Sequence, residues 1–403
     1  MARSGLSRGQ VAILGAGLVA SLASWLAFQP WNLTARFMIG APFGRDFANF
    51  WIGPRLVLEG RGALLGDLDA YNAALSETFG LGVNMAQVFS YPPHILPLLL
   101  PLALLPFLPA LILFTGLNLA GLAAALRLCA GGAATPRRGL TLLVLLSPAA
   151  AAMVMFGHFT GLLALAATVA LLRAEDRPHL AGLCLALLST KPQCALVLGV
   201  VLLGAGHWRW IPAAASGTLA LVGLSLALFG LEPWRLFLTV TVSVQSAFLT
   251  DFRPLKVATV CSVFMSARYW GLPAEAAWAI QGAVSAAALA TAVLVLRQGR
   301  PGPAALCTVL LGAIVAMPYA NHYDVAIAAP ALTLLALDRG VSPAPSPLVV
   351  VAWLLVPLAR ILTAVDMPIL SLVLAGVVFA QGWRLLRRPV PGPAFLSTGT
   401  LPC

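Results

Sequence analysis

An adjacent Arg45-Asp46 pair stands just after the first apolar segment of the chain, within the sequence GRDFANFW. The chain holds 13 Asp and Glu residues against 24 Lys and Arg residues, so a carboxylate is a scarce group here. An ionisable residue beside a membrane span is a functional candidate by default, because such a group is costly to keep there without a use. A carboxylate can also act as a general base toward a hydroxyl group. We therefore take Asp46 as the first candidate for chemistry.

Four further groups of polar residues lie where an apolar run begins or breaks. They are Tyr91-Pro92-Pro93-His94, Gly157-His158-Phe159-Thr160, Lys191-Pro192-Gln193 and Asn321-His322-Tyr323-Asp324. Each could face one aqueous vestibule at the outer membrane surface. Each also has a structural interpretation, since Pro92-Pro93 can stiffen a helix start and His158 can cap a turn.

Two of these groups are the stronger candidates. A lone lysine inside apolar sequence, such as Lys191, must reach water, pair with an acid or meet an anionic ligand. The four consecutive polar residues 321–324 open an apolar run and have little structural reason to be so polar. They could hold a phosphate, a sugar hydroxyl or each other.

The composition determines the class of protein that must position these residues. Hydrophobic residues make up 60% of the 403 residues and charged residues 9%, and the mean hydropathy is +0.95. A soluble domain usually carries about 25% charged residues. Long apolar runs recur at roughly 20 residues per crossing, without the alternating pattern of an outer-membrane barrel. We therefore expect an all-α polytopic integral membrane protein surrounded by membrane lipids.

The same composition excludes two kinds of partner. The formal charge of +11 is spread over short loops, as the positive-inside rule predicts, and forms no dense patch for a nucleic acid. The cysteines lie mainly in or beside apolar runs and form no CxxC pair, which is typical of small buried side chains. No cluster of Cys and His has metal-ligand spacing, so we expect no bound metal.

Residues 11–29 form the first predicted span. Arg3 and Arg8 precede it, which places the amino terminus in the cytoplasm and the following segment outside. A cleaved signal peptide is the alternative, because Ser21-Leu22-Ala23 offers a small-x-small site. The apolar run is long for such a peptide, so we favour a retained anchor.

Residues 30–90 differ in texture, with charged residues placed among aromatics and leucines. Two short amphipathic helices fit this first outside loop, at residues 45–59 and 67–79. We expect them to lie along the membrane interface with Trp and Phe side chains in the lipid. Asp46 then stands near the amino end of the first helix, where the helix dipole favours a carboxylate.

From Tyr91 onward the apolar runs are nearly continuous, and we expect about 11 to 13 spans in all. Prolines interrupt the runs, so broken helices that line a cavity are expected. Two complete spans after an outside loop would leave Arg127, Arg137 and Arg138 outside, against the positive-inside rule. Either one of the two Pro-rich segments after Tyr91 is re-entrant, or these charges are too few to decide the orientation.

The chain shows no tandem repeat and no appended soluble domain. We expect residues 1–388 to form one transmembrane domain and residues 389–403 to be a disordered tail.

The order of the motifs carries a resemblance. A first span is followed by an outside GRDF with aromatics and by an acidic amphipathic stretch that ends in Tyr71. Then come Tyr91-Pro92-Pro93 with Leu-Pro repeats, Gly157-His158, Lys191-Pro192 and His322-Tyr323. This order resembles the polyprenol-phosphate-mannose-dependent glycosyltransferases of the GT-C superfamily, specifically glycosyltransferase family 87, over nearly the whole chain. The family commonly has Gly-Gln where this chain has Gly157-His158.

The resemblance implies a GT-C-type helical bundle in the bacterial cytoplasmic membrane, with its active site on the periplasmic side. It implies transfer of mannose or a related hexose, with inversion, from a polyprenyl-phosphate donor to a lipid or glycan acceptor. The lipid-linked donor is a substrate, so no cofactor is expected. In the family an acidic residue of the first outside loop is the catalytic base, and Asp46 occupies that place. The oligomeric state stays open.

A departing phosphate also needs cations that stabilise its charge. Arginine suits bidentate phosphate contact and lysine acts more as a point charge. The candidate phosphate partners are Arg45, Arg55, Lys191 and His322. The remaining candidates for substrate binding are Tyr91, His94, His158, Gln193, Asn321, Tyr323 and Asp324.

Two other functions compete with this interpretation. A transporter or lipid flippase could use Asp46, Lys191 and Asp324 as a substrate path, but such proteins usually show inverted repeats and ionisable residues near the bilayer midplane. A purely structural membrane scaffold is the third possibility, and the charged first loop argues against it.

Overall fold

Helices form every regular element in the part of the chain that the computed structural model describes. That part comprises residues 7–28, 44–79, 88–131, 138–250, 259–337, 341 and 346–387. The predicted tail 389–403 lies outside it. The all-α class is confirmed.

Twenty α-helices follow one another along the described residues. The first ten are α1 (Arg8–Phe28), α2 (Arg45–Leu58), α3 (Leu68–Phe79), α4 (Leu96–Ala103), α5 (Phe107–Cys129), α6 (Arg138–Leu145), α7 (Pro148–Phe156), α8 (Thr160–Arg173), α9 (Pro178–Leu188) and α10 (Pro192–Gly204). The second ten are α11 (Ile211–Phe229), α12 (Glu232–Leu236), α13 (Val242–Thr250), α14 (Val263–Tyr269), α15 (Ala274–Leu296), α16 (Pro303–Ala316), α17 (Ala329–Leu337), α18 (Pro347–Leu355), α19 (Ala359–Ala364) and α20 (Leu370–Leu386). Short 3-10 helices lie at Gly62–Gly66, Pro93–Ile95 and His322–Ile327, and a π-helical turn lies at Phe237–Thr241.

Four helices in the described part are long and apolar enough to cross a membrane, namely α1, α5, α11 and α15. The pair α6 and α7, bent by 45°, makes a fifth if it is one broken span. The other apolar helices are shorter, so the expected number of about 11 to 13 spans is not matched by continuous helices of spanning length. Several of the short helices begin with a proline, as α7, α9, α10 and α16 do. Proline suits the first helical position and cannot continue a preceding helix, so it divides the apolar runs.

The two predicted amphipathic helices form within one residue of their predicted limits, as α2 and α3. The expected lipid exposure of the α2 aromatics is wrong. Phe47, Phe50 and Trp51 are all buried inside the protein. Phe47 packs on Phe114 at a ring-centroid distance of 4.7 Å, because α5 covers the face of α2 that the prediction had turned to lipid.

The first Pro-rich segment does not form a continuous helix of spanning length. Helix α4 has only eight residues, a length of about 12 Å against a hydrocarbon core of about 30 Å. The indole nitrogen of Trp51 donates to the Leu105 carbonyl at 2.9 Å, which holds the turn after α4 against α2. Helix α5 therefore starts beside α2, and Arg127 is carried to the opposite end of the bundle. This removes the conflict with the positive-inside rule.

The charges separate onto the two ends of the helix bundle. We call the end where α2, α5, α8 and α10 begin the cluster end, and the opposite end the far end. Arg297 donates to the Gly204 carbonyl at 2.8 Å, so α10 and α15 finish together at the far end. A Cβ atom on Gly382 would lie 2.3 Å from a Thr291 methyl. The last turns of α20 therefore also lie at the far end.

Basic residues dominate the far end, while the cluster end carries nine described acidic residues against seven described basic ones, which are Arg45, Arg55, Arg61, Lys191, Arg235, Arg268 and Arg360. The described basic residues of the far end are Arg8, Arg127, Arg138, Arg173, Arg177, Arg209, Arg297, Arg300, Arg384 and Arg387, against Glu175 and Asp176. The described acidic residues of the cluster end are Asp46, Glu59, Asp67, Asp69, Glu77, Glu232, Glu275, Asp324 and Asp366. The fold thus places most described carboxylates at one end of an apolar bundle.

Candidate active site

Two glycines bring the start of α2 against the turn between α7 and α8. Gly44 and Gly157 both have left-handed backbone angles, with φ of 78° and 66°, and the Gly44 amide donates to the Met155 carbonyl at 3.2 Å. A Cβ atom on Gly157 would lie 2.8 Å from the Gly44 Cα and 2.8 Å from the Phe47 Cβ. Only glycine permits both this conformation and this approach. The contact holds the start of α2, which carries Asp46, against the turn that carries His158.

Asp46 lies in the first turn of α2 and is nearly buried, with 7% of the residue exposed. Its Oδ1 accepts from Arg45 Nε at 3.1 Å. Its Oδ2 is buried and has no hydrogen-bond partner among the described residues. An unpaired carboxylate oxygen in such a place is costly, so it is poised to accept a proton or a hydrogen bond from a ligand.

His158 connects two parts of the site. Its Nε2 lies 2.8 Å from the Tyr91 hydroxyl, and its ring stacks on Tyr323 at 4.4 Å and on Phe159 at 4.7 Å between centroids. Burial, together with the charge of Lys191, holds the pKa of His158 well below its usual value. The imidazole is therefore neutral, and its Nδ1 has no partner in the described part of the chain.

Lys191 forms a buried ion pair with Asp324. The two side chains are 5% and 0% exposed. Asp324 also accepts from the Asn321 amide at 2.9 Å, and so caps the 3-10 helix that it belongs to. The Lys191 ammonium lies 5.6 Å from the centroid of the Tyr323 ring. The charge of Lys191 is thus compensated by the protein itself.

His322 is held by a short backbone pairing. Val260 and Asn321 form an isolated antiparallel bridge, and the Thr259 carbonyl accepts from the His322 amide at 3.0 Å. The same carbonyl lies 3.2 Å from His322 Nδ1. Thr259 also donates its hydroxyl to Asn321 Oδ1 at 3.0 Å. His322 Nε2 is buried and has no described partner.

The rings of Phe156 and Tyr323 join these groups into one cluster. The Arg45 guanidinium lies 5.7 Å from the Phe156 centroid, and the His322 ring meets Phe156 edge-on at 5.0 Å. Phe156 lies 5.3 Å from Tyr323, which in turn stacks on His158. We call the resulting set the polar cluster, and its members are Arg45, Asp46, Tyr91, His158, Lys191, Asn321, His322, Tyr323 and Asp324.

Three sequence-predicted site residues lie outside the polar cluster. Arg55 donates to the Ala103 carbonyl at 2.8 Å and stacks on the Trp51 ring at 4.3 Å, so it ties α4 to α2. His94 bonds Ser189 Oγ at 3.0 Å and stacks on Trp234 at 5.8 Å. Gln193 is half-buried in the first turn of α10 and makes no hydrogen bond within the described part.

The structure adds residues that the sequence motifs did not indicate. Arg360, in α19, lies close enough to Arg45 and His322 for their charges to interact. Its signal was present, since an arginine inside an apolar run is as unusual as Lys191. Phe156 and Thr259 carried no such signal, because a phenylalanine and a threonine are ordinary in apolar sequence.

Among the described residues, no group of three or more His, Cys, Asp or Glu side chains is placed to hold a metal ion.

Comparison with known proteins gives one match. The sequence pattern of glycosyltransferase family 87 matches residues 89–319, which is more than half of the chain. It includes Tyr91, His158 and Lys191 of the polar cluster, while Asp46 and residues 321–324 lie outside the matched range. No curated protein and no solved structure gives a significant match.

Proposed function

The chain belongs to glycosyltransferase family 87 and is a membrane glycosyltransferase, and from this premise we propose its donor, its base and its orientation. The donor is a polyprenyl-phosphate sugar, with mannose or a related hexose as the sugar. The acceptor is a hydroxyl group of a lipid or glycan. The observation that supports this best is Asp46, whose Oδ2 is buried without a described partner beside Arg45.

Asp46 acts as the general base. Its Oδ2 takes the proton of the acceptor hydroxyl as the acceptor oxygen attacks the anomeric carbon of the sugar. The bond between that carbon and the phosphate oxygen breaks, and the electron pair leaves with the phosphate. Attack from the face opposite the phosphate inverts the anomeric centre, so the transfer needs one carboxylate rather than the two of a retaining glycosidase.

Arg45 is the cation that meets the leaving phosphate. Its Nε is bound to Asp46, while its two terminal nitrogens make no hydrogen bond within the described part, and its side chain is 33% exposed. A guanidinium in this state can bind two phosphate oxygens at once. Lys191 contributes less net charge, since Asp324 neutralises it. Arg55 is engaged elsewhere and is not part of this proposal.

A small apolar cavity of about 10 Å³ lies beside the polar cluster. Tyr91 forms part of its wall and reaches His158 with its hydroxyl. The other lining residues are apolar apart from Thr241, among them Phe89, Leu96 and Leu236. At this volume the cavity holds at most about one water molecule, so we assign no part of the substrate to it.

The cluster end faces the periplasm in this proposal, across the bacterial cytoplasmic membrane. The arginines of the far end support it, since loops rich in Lys and Arg stay in the cytoplasm.

The test is transfer of radiolabelled mannose from synthetic polyprenyl-phosphate-mannose into lipid extracts of the source membrane. Asp46→Asn keeps the shape of the side chain and removes the base, so we expect transfer to fall by roughly 10² to 10⁴. Asp69→Asn, at an exposed position of the same loop, is the matched control and should retain activity.

Retained transfer by a folded Asp46→Asn protein would remove Asp46 from the role of base. Absence of product with the wild type would mean that the donor or the acceptor class is wrong.

A further inference from the structure

The two nitrogens of the His322 ring have different surroundings. Nδ1 lies 3.2 Å from the Thr259 carbonyl oxygen. A carbonyl oxygen only accepts hydrogen bonds, so Nδ1 must be the donor and must carry a proton. The backbone amide of His322 donates to the same carbonyl at 3.0 Å, which fixes the residue relative to this acceptor.

The second nitrogen is therefore a bare acceptor. Burial lowers the pKa of His322 to about 4, and the charges of Arg360 and Arg45 act in the same direction. A neutral ring with its proton on Nδ1 has a lone pair on Nε2. The residue is 0% exposed, and Nε2 has no donor within the described part of the chain. A buried acceptor in this state is costly unless a donor from outside the described residues reaches it, and a hydroxyl group of a bound ligand can be that donor.

His158 is the other histidine of the polar cluster with a ring nitrogen that has no described partner, and its tautomer is not determined. His158 bonds a tyrosine hydroxyl, which can donate or accept, so its tautomer is not determined by its partner. For His322 the partner is a carbonyl, and the polarity of the opposite nitrogen follows. A lone pair is the wrong polarity for the oxygens of an ionised phosphate diester, and it is the right polarity for a hydroxyl group.

We propose that Nε2 of His322 accepts a hydrogen bond from a hydroxyl group of the carbohydrate substrate, so that His322 is a sugar-recognition residue and not a phosphate ligand. The inference rests on the proposed glycosyl transfer and names a recognition contact within the same site. The location fits, because the His322 ring and the Arg45 guanidinium both contact Phe156. The hydroxyl can belong to the donor sugar or to the acceptor.

Two variants separate the two nitrogens. In His322→Asn the side-chain amide can still donate to Thr259, in the place of Nδ1, while the acceptor at Nε2 is lost. In His322→Gln the terminal group reaches about as far as Nε2 and can supply an acceptor oxygen. His179→Asn, at an exposed position of the far end, is the matched control.

The first measurement is binding of polyprenyl-phosphate-mannose and its 2-, 3-, 4- and 6-deoxy forms to each protein in lipid nanodiscs. If the contact is to the donor sugar, one deoxy form binds the wild type roughly five- to thirty-fold more weakly than the parent, as loss of one such hydrogen bond requires. In His322→Asn that deoxy form and the parent bind equally. His322→Gln recovers part of the discrimination, and His179→Asn behaves as the wild type does.

The second measurement locates the contact if it is to the acceptor. All deoxy donors then show the same relative binding in wild type and His322→Asn, while transfer into membrane lipid extracts shows a raised KM for the extract in the variant. The inference is overturned if neither donor binding nor transfer differs between wild type and a folded His322→Asn protein.

A direct readout does not depend on activity. The nitrogen resonances of His322 in isotopically labelled wild type should show an unprotonated Nε2 before ligand is added. A protonated Nε2 overturns the inference. Failure of every polyprenyl-phosphate donor to bind the wild type instead removes the proposed function, which is a separate result from donors that bind equally to both proteins.

Discussion

Lys191 and Asp324 neutralise each other although 133 positions separate them along the chain. The lysine ends the turn between α9 and α10, and the aspartate caps the 3-10 helix at His322–Ile327. Sequence alone offers three outcomes for a lysine in apolar surroundings, and the structure shows pairing with an acid. The pair therefore holds two turns of the polar cluster together.

We expect the single variants Lys191→Met and Asp324→Asn each to destabilise the protein by about 3–5 kcal/mol, because each leaves one uncompensated buried charge. The double variant should recover most of that loss, since it buries no charge. Thermal unfolding in detergent measures both.

The exposed pair Arg173 and Asp176, 2.8 Å apart, is the matched control for this cycle. Removing either partner there should cost at most about 1 kcal/mol. Equal effects at the two pairs would contradict the assignment of Lys191 and Asp324 as a buried pair.

The sequence-predicted residues that the structure brings together share one property. Asp46, His158, Lys191 and His322 all stand where an apolar run begins or breaks, and such places gather at the end of a helix bundle. Arg55 lies outside the polar cluster because it stands ten residues after Arg45 on the same helix. Ten residues correspond to about 15 Å along a helix and place the side chain on another face. The charge of a residue does not show on which face it lies.

At the scale of elements, α2 shows what the sequence can and cannot predict. Its limits follow from the pattern of apolar residues, and they are correct within one residue. Its aromatic face is covered by α4 and α5. These helices are separate elements, and the local pattern of apolar residues does not predict that they pack there. The number of continuous spans is unpredictable for the same reason, since a proline divides an apolar run without changing its hydropathy.

The contact between the start of α2 and the turn after α7 gives a prediction for Gly157→Ala. The new methyl group would meet the Gly44 backbone at 2.8 Å. The alanine would also have to adopt a left-handed backbone conformation. We expect a lower melting temperature and a loss of sugar transfer larger than the loss of folded protein, because the start of α2, which carries Asp46, is displaced from the turn that carries His158.

Gly206→Ala is the matched control for this variant. Gly206 has a φ of 92° and nothing within 4 Å of an added Cβ, so it carries only the conformational strain of roughly 1 kcal/mol. Normal transfer by a folded Gly157→Ala protein would show that the glycine crossing does not position the base.

At the scale of the whole molecule, the charges of the two ends are the basis of the proposed orientation. Sequence reasoning left a conflict at Arg127, because it counted two spans after the first loop. The short α4 resolves it, because α5 starts at the cluster end. The positive-inside rule then applies to all described arginines at the far end.

Accessibility of introduced cysteines tests this orientation. We expect a membrane-impermeant maleimide to label Glu77→Cys, whose side chain is 76% exposed, once it has access to the periplasm. Glu175→Cys at the far end should be labelled only after the cytoplasmic membrane is permeabilised.

The described native cysteines are buried and suit such a background, and Cys403→Ser removes the remaining thiol. The reverse labelling pattern would contradict the proposed orientation and would show that the polar cluster lies on the cytoplasmic side.

The distance along the chain between Lys191 and Asp324 also determines when the polar cluster can form during biosynthesis. The ribosome releases Asp46, Tyr91, His158 and Lys191 well before Asp324. Until the later helices enter the membrane, Lys191 has no counter-charge and Tyr323 is not yet present to stack on His158. The polar cluster is therefore complete only when the 3-10 helix at His322–Ile327 arrives, and under the proposed function the growing chain is inactive until then.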